Sequence, residues 1–142
     1  MKTCQDIMTA EPKCSTPQQT AEDLARMMKE EDVGAIPVVD DSSNRKLLGI
    51  VTDRDIVLKV IAAHQDPSTT RADAVMSSDL VFCHPEDSLD QAREAMEEHQ
   101  VRRLPIVDAG QRLVGIIAQK DLAEDNPNIE ATGEMLKEIS RD

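Results

Sequence analysis

The sequence predicts an α/β fold of the α+β type, built from two similar halves that each contain a helix, two strands and a second helix. The sequence repeats itself, and each copy shows helical apolar spacing followed by two apolar runs of strand length. The chain of 142 residues is as long as one ordinary domain, whereas a half of about 65 residues is marginal alone. The two halves are therefore expected to pack against each other through their sheets.

Sliding the sequence on itself reveals the duplication. Met8 matches Met76, and AIPVVD at 35–40 matches RLPIVD at 103–108, all at one shift. After a shorter loop in the second copy the shift falls by two residues. The duplicated order of elements is the main feature that any account of the fold must explain.

Two octets carry the most informative part of the repeat. The first octet, GIVTDRDI at 49–56, lies on the second octet, GIIAQKDL at 115–122, and Thr52 becomes Ala118 while the glycine and the aspartate are kept. Thr52 with Asp55 has the spacing of a helix N-cap with an acidic residue three positions later. The same hydroxyl and carboxylate are suited to binding ligand hydroxyls, and both roles can coexist.

The remaining elements follow from periodicity. A helix is predicted to open at Thr20, and in the second copy Ser88 and Gln91 form a capping box before the matching helix. Pro37 and Pro105 place the first strand of each copy at a sheet edge or at a strand start. Apolar runs of strand length predict four strands, at 36–39, 47–51, 104–107 and 113–117.

A last helix is predicted after each octet, over 54–61 in the first copy and from Lys120 in the second. The tail beyond Asp125 is weakly amphipathic, and either a docked short helix or a mobile segment is open for it. The predicted organisation is repeat 1 at 3–61, a polar linker at 62–72, repeat 2 at 73–124 and a C-terminal tail at 125–142.

Charge disfavours several classes of partner. Sixteen basic and 28 acidic residues give a net charge of −12, which repels nucleic acid and anionic membrane surfaces. A local cluster such as Arg102 and Arg103 can still bind a small anion, because short-range geometry outweighs distant screened charge. The sequence has no stretch of apolar residues long enough for a membrane span or a signal peptide, so the expected location is the cytoplasm.

Reactive and metal-binding patterns are weak. Cys4, Cys14 and Cys83 are odd in number and lack CxxC spacing, so they are interpreted as small apolar residues, with no metal site predicted. His84 follows Cys83, and a core or surface role is expected for this pair. No metal helix, nucleophile elbow or phosphate loop motif occurs, and the protein is predicted not to be an enzyme.

Two copies of helix–strand–strand–helix, each with a proline in its first strand and an octet of the form G-h-h-x-x-x-D, resemble a tandem pair of cystathionine β-synthase (CBS) domains, also called a Bateman module. The resemblance covers about residues 3 to 124. The stretches VGAIPVVD at 33–40, VTDRDIV at 51–57 and MEEHQVRRLPIV at 96–107 further resemble stand-alone bacterial CBS pairs of the hypoxic-response-protein type.

The resemblance implies two clefts between the repeats in which adenosine nucleotides or adenosyl compounds often bind, with no obligatory cofactor. AMP, ADP, ATP and S-adenosylmethionine are the candidate ligands. In the main cleft the octet would hold the ribose hydroxyls, the second repeat would contact the phosphate, and apolar side chains would meet the adenine. The residues implied for this cleft are Thr52, Arg54, Asp55, Leu80, Val81, Val101, Arg102, Arg103, Pro105 and Lys120.

The second cleft has lost polar groups. It keeps the octet aspartate but has alanine for the hydroxyl and Gly34–Ala35 where its counterpart has two arginines, and Arg54 is its one candidate cation. Such losses cost several kcal/mol, at about 1.5–3 per charged hydrogen bond and ~1 per neutral one. The residues assigned to this degraded cleft are Lys13, Cys14, Gly34, Ala35, Pro37 and Asp121.

The function predicted is therefore regulatory: a cytoplasmic sensor that passes a ligand signal to an unidentified partner protein, and that forms a homodimer through its helices. The alternative is a ligand-free dimeric interaction module associated with stress, in which the octets are only helix caps. Arg102 and Arg103 would then pair with acidic groups of the chain or of a dimer mate. Six apolar residues are predicted to lie either in the helical dimer interface or in the intrachain core, and the sequence favours neither location: Met27, Met28, Met96, Val57, Val60 and Ile61.

Overall fold

A computed structural model describes residues 1–125 of the chain, so the predicted tail lies outside the described residues apart from its first residue. The elements in chain order are α1 (Cys4–Ile7), β1 (Thr9–Ala10), α2 (Ala21–Glu31), β2 (Ala35–Val39), β3 (Leu47–Thr52), α3 (Asp53–Asp55), a π-helix (Ile56–Ile61), α4 (Ala72–Val75), α5 (Leu89–His99), β4 (Arg103–Val107), β5 (Leu113–Ala118) and α6 (Gln119–Asp125). This mixture of helices and antiparallel strands confirms the predicted fold class.

The chain divides into two compact units. The central unit is Lys13–Leu80, and within the described residues the outer unit combines Met1–Pro12 with the chain from Val81 to Asp125. The predicted repeats follow sequence order, whereas the units exchange the segments with which the two repeats begin. The N-terminal segment folds with the second copy, and the segment from α4 to Leu80 folds with the first.

In the central unit, β2 and β3 form an antiparallel pair with Ala35 opposite Thr52 and a bulge near the far end. Ser15 bridges the outer side of β2, donating its amide to the Pro37 carbonyl and accepting from Val39. The nitrogen of Pro37 faces this same outer side. No strand forms a continuous ladder there, so the missing backbone amide of proline is not needed as a hydrogen-bond donor. The prediction of an edge position for Pro37 is confirmed.

In the outer unit, the strand order is β1-β5-β4. Thr9 pairs with Ile116 in β5, and Arg103 pairs with Ala118 across the β4–β5 ladder. β4, which contains Pro105, is again an edge strand, as predicted. The corresponding neighbour of β3 in the central unit is Ser77, which exchanges two backbone hydrogen bonds with Ile50.

The long helices begin where the sequence predicts. Thr20 caps α2 by accepting from the Asp23 amide, and Ser88 caps α5 by accepting from the Gln91 amide. The side chain of the third residue in each helix, Asp23 or Gln91, accepts a hydrogen bond from the backbone amide of the capping residue. Both capping boxes are therefore complete. Ala25 has the same helical spacing as Ala21, Leu24 and Met28, yet it is exposed whereas those three residues are buried.

None of the helices within residues 1–125 is long and apolar enough to cross a membrane.

Each of the two units has its own hydrophobic core. Met28, Met96 and Val60 are buried in these cores, so of the two interpretations open for them the intrachain one holds. The core of the central unit comprises Ala21, Leu24, Met28, Ile36, Val38, Val51, Val60, Ala72 and Val75. The core of the outer unit comprises Cys4, Cys83, Leu89, Ala92, Met96, Leu104, Ile106, Ile117 and Leu122.

The helix after the first octet differs from an ordinary α-helix. It starts as α3 and widens into the π-helix, where the Ala62 amide donates to the Val57 carbonyl at 2.8 Å and Gln65 to Val60 at 2.9 Å. Periodicity predicts a helix here but does not separate bonds five residues apart from bonds four apart. Such turns are rare and occur frequently at functional sites.

A second segment of the chain passes so close to the glycine that opens each octet that a Cβ atom would not fit there. A Cβ on Gly49 would lie 2.7 Å from both the Met76 sulfur and the Ser77 carbonyl oxygen. A Cβ on Gly115 would collide with the Met8 side chain in the same way. The duplicated methionine and the duplicated glycine are thus two parts of one packing arrangement, which explains why both copies keep them.

Candidate functional site

The first octet ends β3 and opens α3 with a hydrogen-bonded turn. The Thr52 hydroxyl accepts from the Asp55 amide at 3.2 Å and lies 3.1 Å from the Asp55 Oδ2 oxygen, to which it donates. The Thr52 amide donates to the same oxygen at 2.9 Å. The N-cap interpretation of Thr52 and Asp55 is therefore confirmed, and ligand binding at these groups stays a prediction.

The other carboxylate oxygen of Asp55 contacts a lysine that the sequence reading did not single out. Lys59 Nζ lies 3.1 Å from Asp55 Oδ1 and 3.0 Å from the Val75 carbonyl oxygen, to which it donates. The Asp55 side chain is 16% exposed and that of Lys59 is 46% exposed. In the sequence, this ion pair is indicated by the spacing of four residues between the acidic Asp55 and the basic Lys59.

The second octet retains half of this turn. The Ala118 amide donates to Asp121 Oδ2 at 2.8 Å, so the aspartate still returns to the first residue of the turn. Without a hydroxyl on Ala118, the cap bond to the helix amide and the contact to the carboxylate are lost. An octet aspartate thus has a structural role in both copies, and its retention alone does not identify a ligand site.

The outer unit gathers three basic residues. The Gln119 amide donates to the Arg102 carbonyl at 2.9 Å, and Arg103 pairs with Ala118 across the ladder. This brings the start of β4 beside the start of α6, which carries Lys120. Within residues 1–125 none of the three side chains pairs with a carboxylate, and Arg102 and Lys120 are exposed.

The same place in the central unit has a different charge. The Asp53 amide donates to the Gly34 carbonyl at 2.9 Å, and Ala35 lies opposite Thr52. A Cβ on Gly34 would lie 3.1 Å from the Asp53 carboxylate. Where the outer unit has two arginines, this unit has Gly34 and Ala35, and the structure adds the Asp53 carboxylate next to them, which the sequence comparison did not predict.

The predicted site residues are distributed over both units. Val81 and Val101 are half-buried against the outer core, Pro105 is buried in β4, Leu80 is half-buried and Arg54 is exposed. Those in the central unit are Lys13, Cys14, Gly34, Ala35, Pro37, Thr52, Arg54, Asp55 and Leu80. Those in the outer unit are Val81, Val101, Arg102, Arg103, Pro105, Lys120 and Asp121.

The cysteines behave as packed thiols. Cys4 and Cys83 are buried together in the outer core, where a hydrogen bond from the Cys83 thiol lowers the pKa of Cys4 and the same bond raises the pKa of Cys83. Burial raises the pKa of Cys14. His84 Nδ1 lies 2.8 Å from the Val107 carbonyl oxygen. In the part of the chain described, no three His, Cys, Asp or Glu side chains form a group suited to a metal ion.

Comparison with known proteins matches the CBS domain model twice, over residues 4–62 and 72–126. The CBS domain-containing protein YhcV of Bacillus subtilis is 43% identical over 140 residues, which cover 99% of this chain and 96% of that protein. Hypoxic response protein 1 of Mycobacterium tuberculosis is 39% identical over 127 residues, with 89% and 87% of the two chains covered.

Solved structures agree. Hypoxic Response Protein I, crystallised with two coordinated zinc ions, has a TM-score of 0.80 at 38% identity and covers 89% of this chain and 100% of its own. CBSX2, solved in complex with AMP, has a TM-score of 0.76 at 25% identity and covers 92% of this chain and 99% of its own. The duplicated octets, the two match regions and these relatives lead to one conclusion: the chain belongs to the CBS domain family and carries two CBS domains in tandem.

Proposed function

We propose that this protein is a non-enzymatic regulatory module that binds an adenosine nucleotide or a related adenosyl compound, with its ribose held by Thr52 and Asp55. The observation that carries the proposal is the geometry of Asp55. Its carboxylate is oriented by hydrogen bonds from Thr52 and Lys59, so the acceptor for a ribose hydroxyl is ordered before any ligand arrives. Preorganisation of this kind lowers the entropic cost of binding.

The basic group of the outer unit supports an anionic ligand. Arg102, Arg103 and Lys120 have no carboxylate partner within residues 1–125, so their charges are open to an anion although the chain has a net charge of −12. We assign them to the phosphate of the nucleotide, because arginine binds phosphate through two parallel hydrogen bonds. CBSX2, a relative of the same fold, was solved with AMP, which supports an adenosine nucleotide as the class of ligand.

The adenine is proposed to contact Leu80, Val81, Val101 and Pro105. The chain has a single aromatic residue, Phe82, so aliphatic side chains and backbone take the place of a stacking ring. Binding regulates a partner protein by favouring one arrangement of the module, which requires different ligand affinities in the two arrangements. We place this activity in the cytoplasm, where the three free cysteines stay reduced.

The proposal is tested by titration calorimetry of protein stripped of copurifying ligand. The panel is AMP, ADP, ATP, S-adenosylmethionine and NADH. We expect saturable heat for at least one adenosyl ligand, near one ligand per chain, because only the first octet has a hydroxyl, on Thr52, and only its aspartate has a lysine four residues later, Lys59. Folded protein that gives no heat with any of the five would refute ligand sensing.

Separate replacements of Arg102 and Arg103 by Ala test the phosphate assignment. At least one replacement is expected to weaken AMP binding about tenfold to a hundredfold, the loss of one charged hydrogen bond, while adenosine, which lacks the phosphate, binds as before. Arg26→Ala removes an equal charge from α2, far along the chain, and is the control. Wild-type AMP affinity in both single variants would show that neither arginine contacts the phosphate.

A second candidate function is protein association, and one observation favours it. Val57, Leu58 and Ile61 on the π-helix are 54%, 49% and 61% exposed, whereas their neighbour Val60 is fully buried. We propose that these three residues, the apolar π-helix face, contact a second copy of the chain in a homodimer. An isologous contact uses each residue twice, which doubles the effect of any substitution.

Ile61→Ser is therefore expected to weaken dimerisation by at least about tenfold, since burying an isoleucine side chain stabilises by roughly 1.5–3 kcal/mol. Sedimentation velocity over a range of protein concentrations measures the shift from dimer to monomer. Ala25→Ser changes an exposed apolar residue on α2 and serves as the control. A wild-type chain that stays monomeric at high concentration would rule out this surface as a dimer contact.

A further inference from the structure

Lys59 is the residue whose role neither the octet pattern nor the phosphate assignment explains. Its ammonium group bridges two acceptors, Asp55 Oδ1 at 3.1 Å and the Val75 carbonyl oxygen at 3.0 Å. An exposed lysine usually makes mobile contacts, because holding its long side chain costs conformational entropy. A lysine with two acceptors on different elements is held in one position more strongly than a lysine that forms a single ion pair at the surface.

The second acceptor is a fixed point of the central unit. Val75 is the last residue of α4, and its side chain is 2% exposed. Together with Ala72 it packs in the core of this unit. The lysine therefore ties the Asp55 carboxylate to rigid backbone rather than to another mobile side chain.

The hydrogen bonds of Asp55 show which of its oxygens a ligand can use. Oδ2 already accepts from the amide and the hydroxyl of Thr52. Oδ1 accepts only from Lys59 among the described residues, so it keeps a free lone pair. The Thr52 hydroxyl oxygen accepts one bond, from the Asp55 amide, and keeps a second lone pair.

We propose that Lys59 is a positioning residue that holds Asp55 Oδ1 in place for one ribose hydroxyl of the ligand, while the Thr52 hydroxyl accepts from the vicinal one. This inference rests on the proposed function. Binding of the ribose in this way leaves every hydrogen bond of the ligand-free turn intact. The second octet has Ala118 in place of Thr52 and, by sequence, Asp125 in place of Lys59, so it lacks both the second acceptor and the positioning charge.

The test is the discrimination between AMP and 2′,3′-dideoxy-AMP, which lacks both ribose hydroxyls. Wild-type protein is expected to bind AMP more tightly. Lys59→Met should reduce this preference about two- to fivefold, the size of a partly exposed ion pair, and should leave the affinity for the dideoxy compound unchanged. Lys59→Arg, which can reach both acceptors, should restore the preference, and Lys29→Met on α2 is the control for loss of charge.

A preference that Lys59→Met leaves at the wild-type value, or a variant that weakens both ligands equally, would overturn the positioning role. Wild-type protein that binds AMP and its dideoxy analogue equally would instead overturn the ribose assignment in the proposed function, so the two failures are distinguishable. Lys59→Gln, which keeps a donor to the Val75 carbonyl, makes the same comparison if Lys59→Met does not fold.

Discussion

Asp55→Ala is expected to weaken AMP binding by about tenfold to a hundredfold, which corresponds to a lost hydrogen bond between a charged group and the ligand. Asp121→Ala is expected to leave the AMP affinity within about twofold of wild type. The two variants are well matched, because each aspartate accepts from the backbone amide three residues before it, at 2.9 Å in the first octet and 2.8 Å in the second.

Asp121→Ala is expected to lose about 1 kcal/mol of stability for a damaged helix start, and Asp55→Ala is expected to lose more, since Asp55 also accepts from the Thr52 hydroxyl and from Lys59. Thermal unfolding followed by circular dichroism measures that loss, and calorimetry measures the affinity. A loss of AMP binding by Asp55→Ala, measured at a temperature where both variants are fully folded, then reports the ligand contact and not the loss of stability. If Asp121→Ala weakened AMP binding as much as Asp55→Ala, the assignment of ribose binding to the first octet would be wrong.

Gly49→Ala is expected to lower the free energy of unfolding by about 1–3 kcal/mol, the usual cost of forcing an extra methyl group into a packed region. The new Cβ would lie 2.7 Å from the Ser77 carbonyl oxygen, which is backbone and is held by its bond to Ile50. Urea unfolding measures the change. Gly110→Ala is the control, because the atom nearest to its new Cβ, on Asp108, would be at an ordinary contact distance of 3.6 Å.

Gly115→Ala should destabilise less than Gly49→Ala, since all of its close neighbours belong to the Met8 side chain. Met8→Ala should accordingly relieve part of the cost of Gly115→Ala. Met76→Ala should relieve little of the cost of Gly49→Ala, because the Ser77 backbone remains in place. Equal stability of Gly49→Ala and Gly110→Ala would contradict the packing explanation for the octet glycines.

The duplicated positions divide into two classes by cause. Gly49 and Gly115 are explained by the approach of a methionine segment, and Asp55 and Asp121 by the return bond to the start of the turn. These requirements apply to both units. Thr52, by contrast, has no counterpart hydroxyl in the second octet, so this difference between the copies, and not the retention of the glycine and the aspartate, is the reason for proposing the ligand site at the first octet.

Much of the fold could be predicted from the sequence because its signals are local. The capping residues Thr20 and Ser88 and the edge prolines Pro37 and Pro105 act on their own neighbours, and all four have the predicted roles. The exchange of segments between the units could not be predicted in this way. Residues near Met8 and near Met76 have equivalent patterns, and nothing local decides which copy each segment packs against.

The candidate site was predicted less completely, for physical reasons. The motif identifies Thr52 and Asp55, but the role of Lys59 depends on the Val75 carbonyl, sixteen residues away. The burial of Val60 beside the exposed Ile61 likewise lies within the π-helix, where the sequence pattern predicts a helix without specifying its type. Long-range contacts and a change of helix type leave no distinct pattern in the sequence.

The most direct test of the account is an amide NMR titration of isotopically labelled protein with AMP. The amides of Thr52 and Asp55 belong to the turn that we assign to the ribose, and those of Ala118 and Asp121 belong to its counterpart. We expect saturable shifts at Thr52 and Asp55 with little change at the other two. Shifts confined to Ala118 and Asp121, or none at saturating AMP, would contradict the claim that the first octet is the nucleotide-binding element.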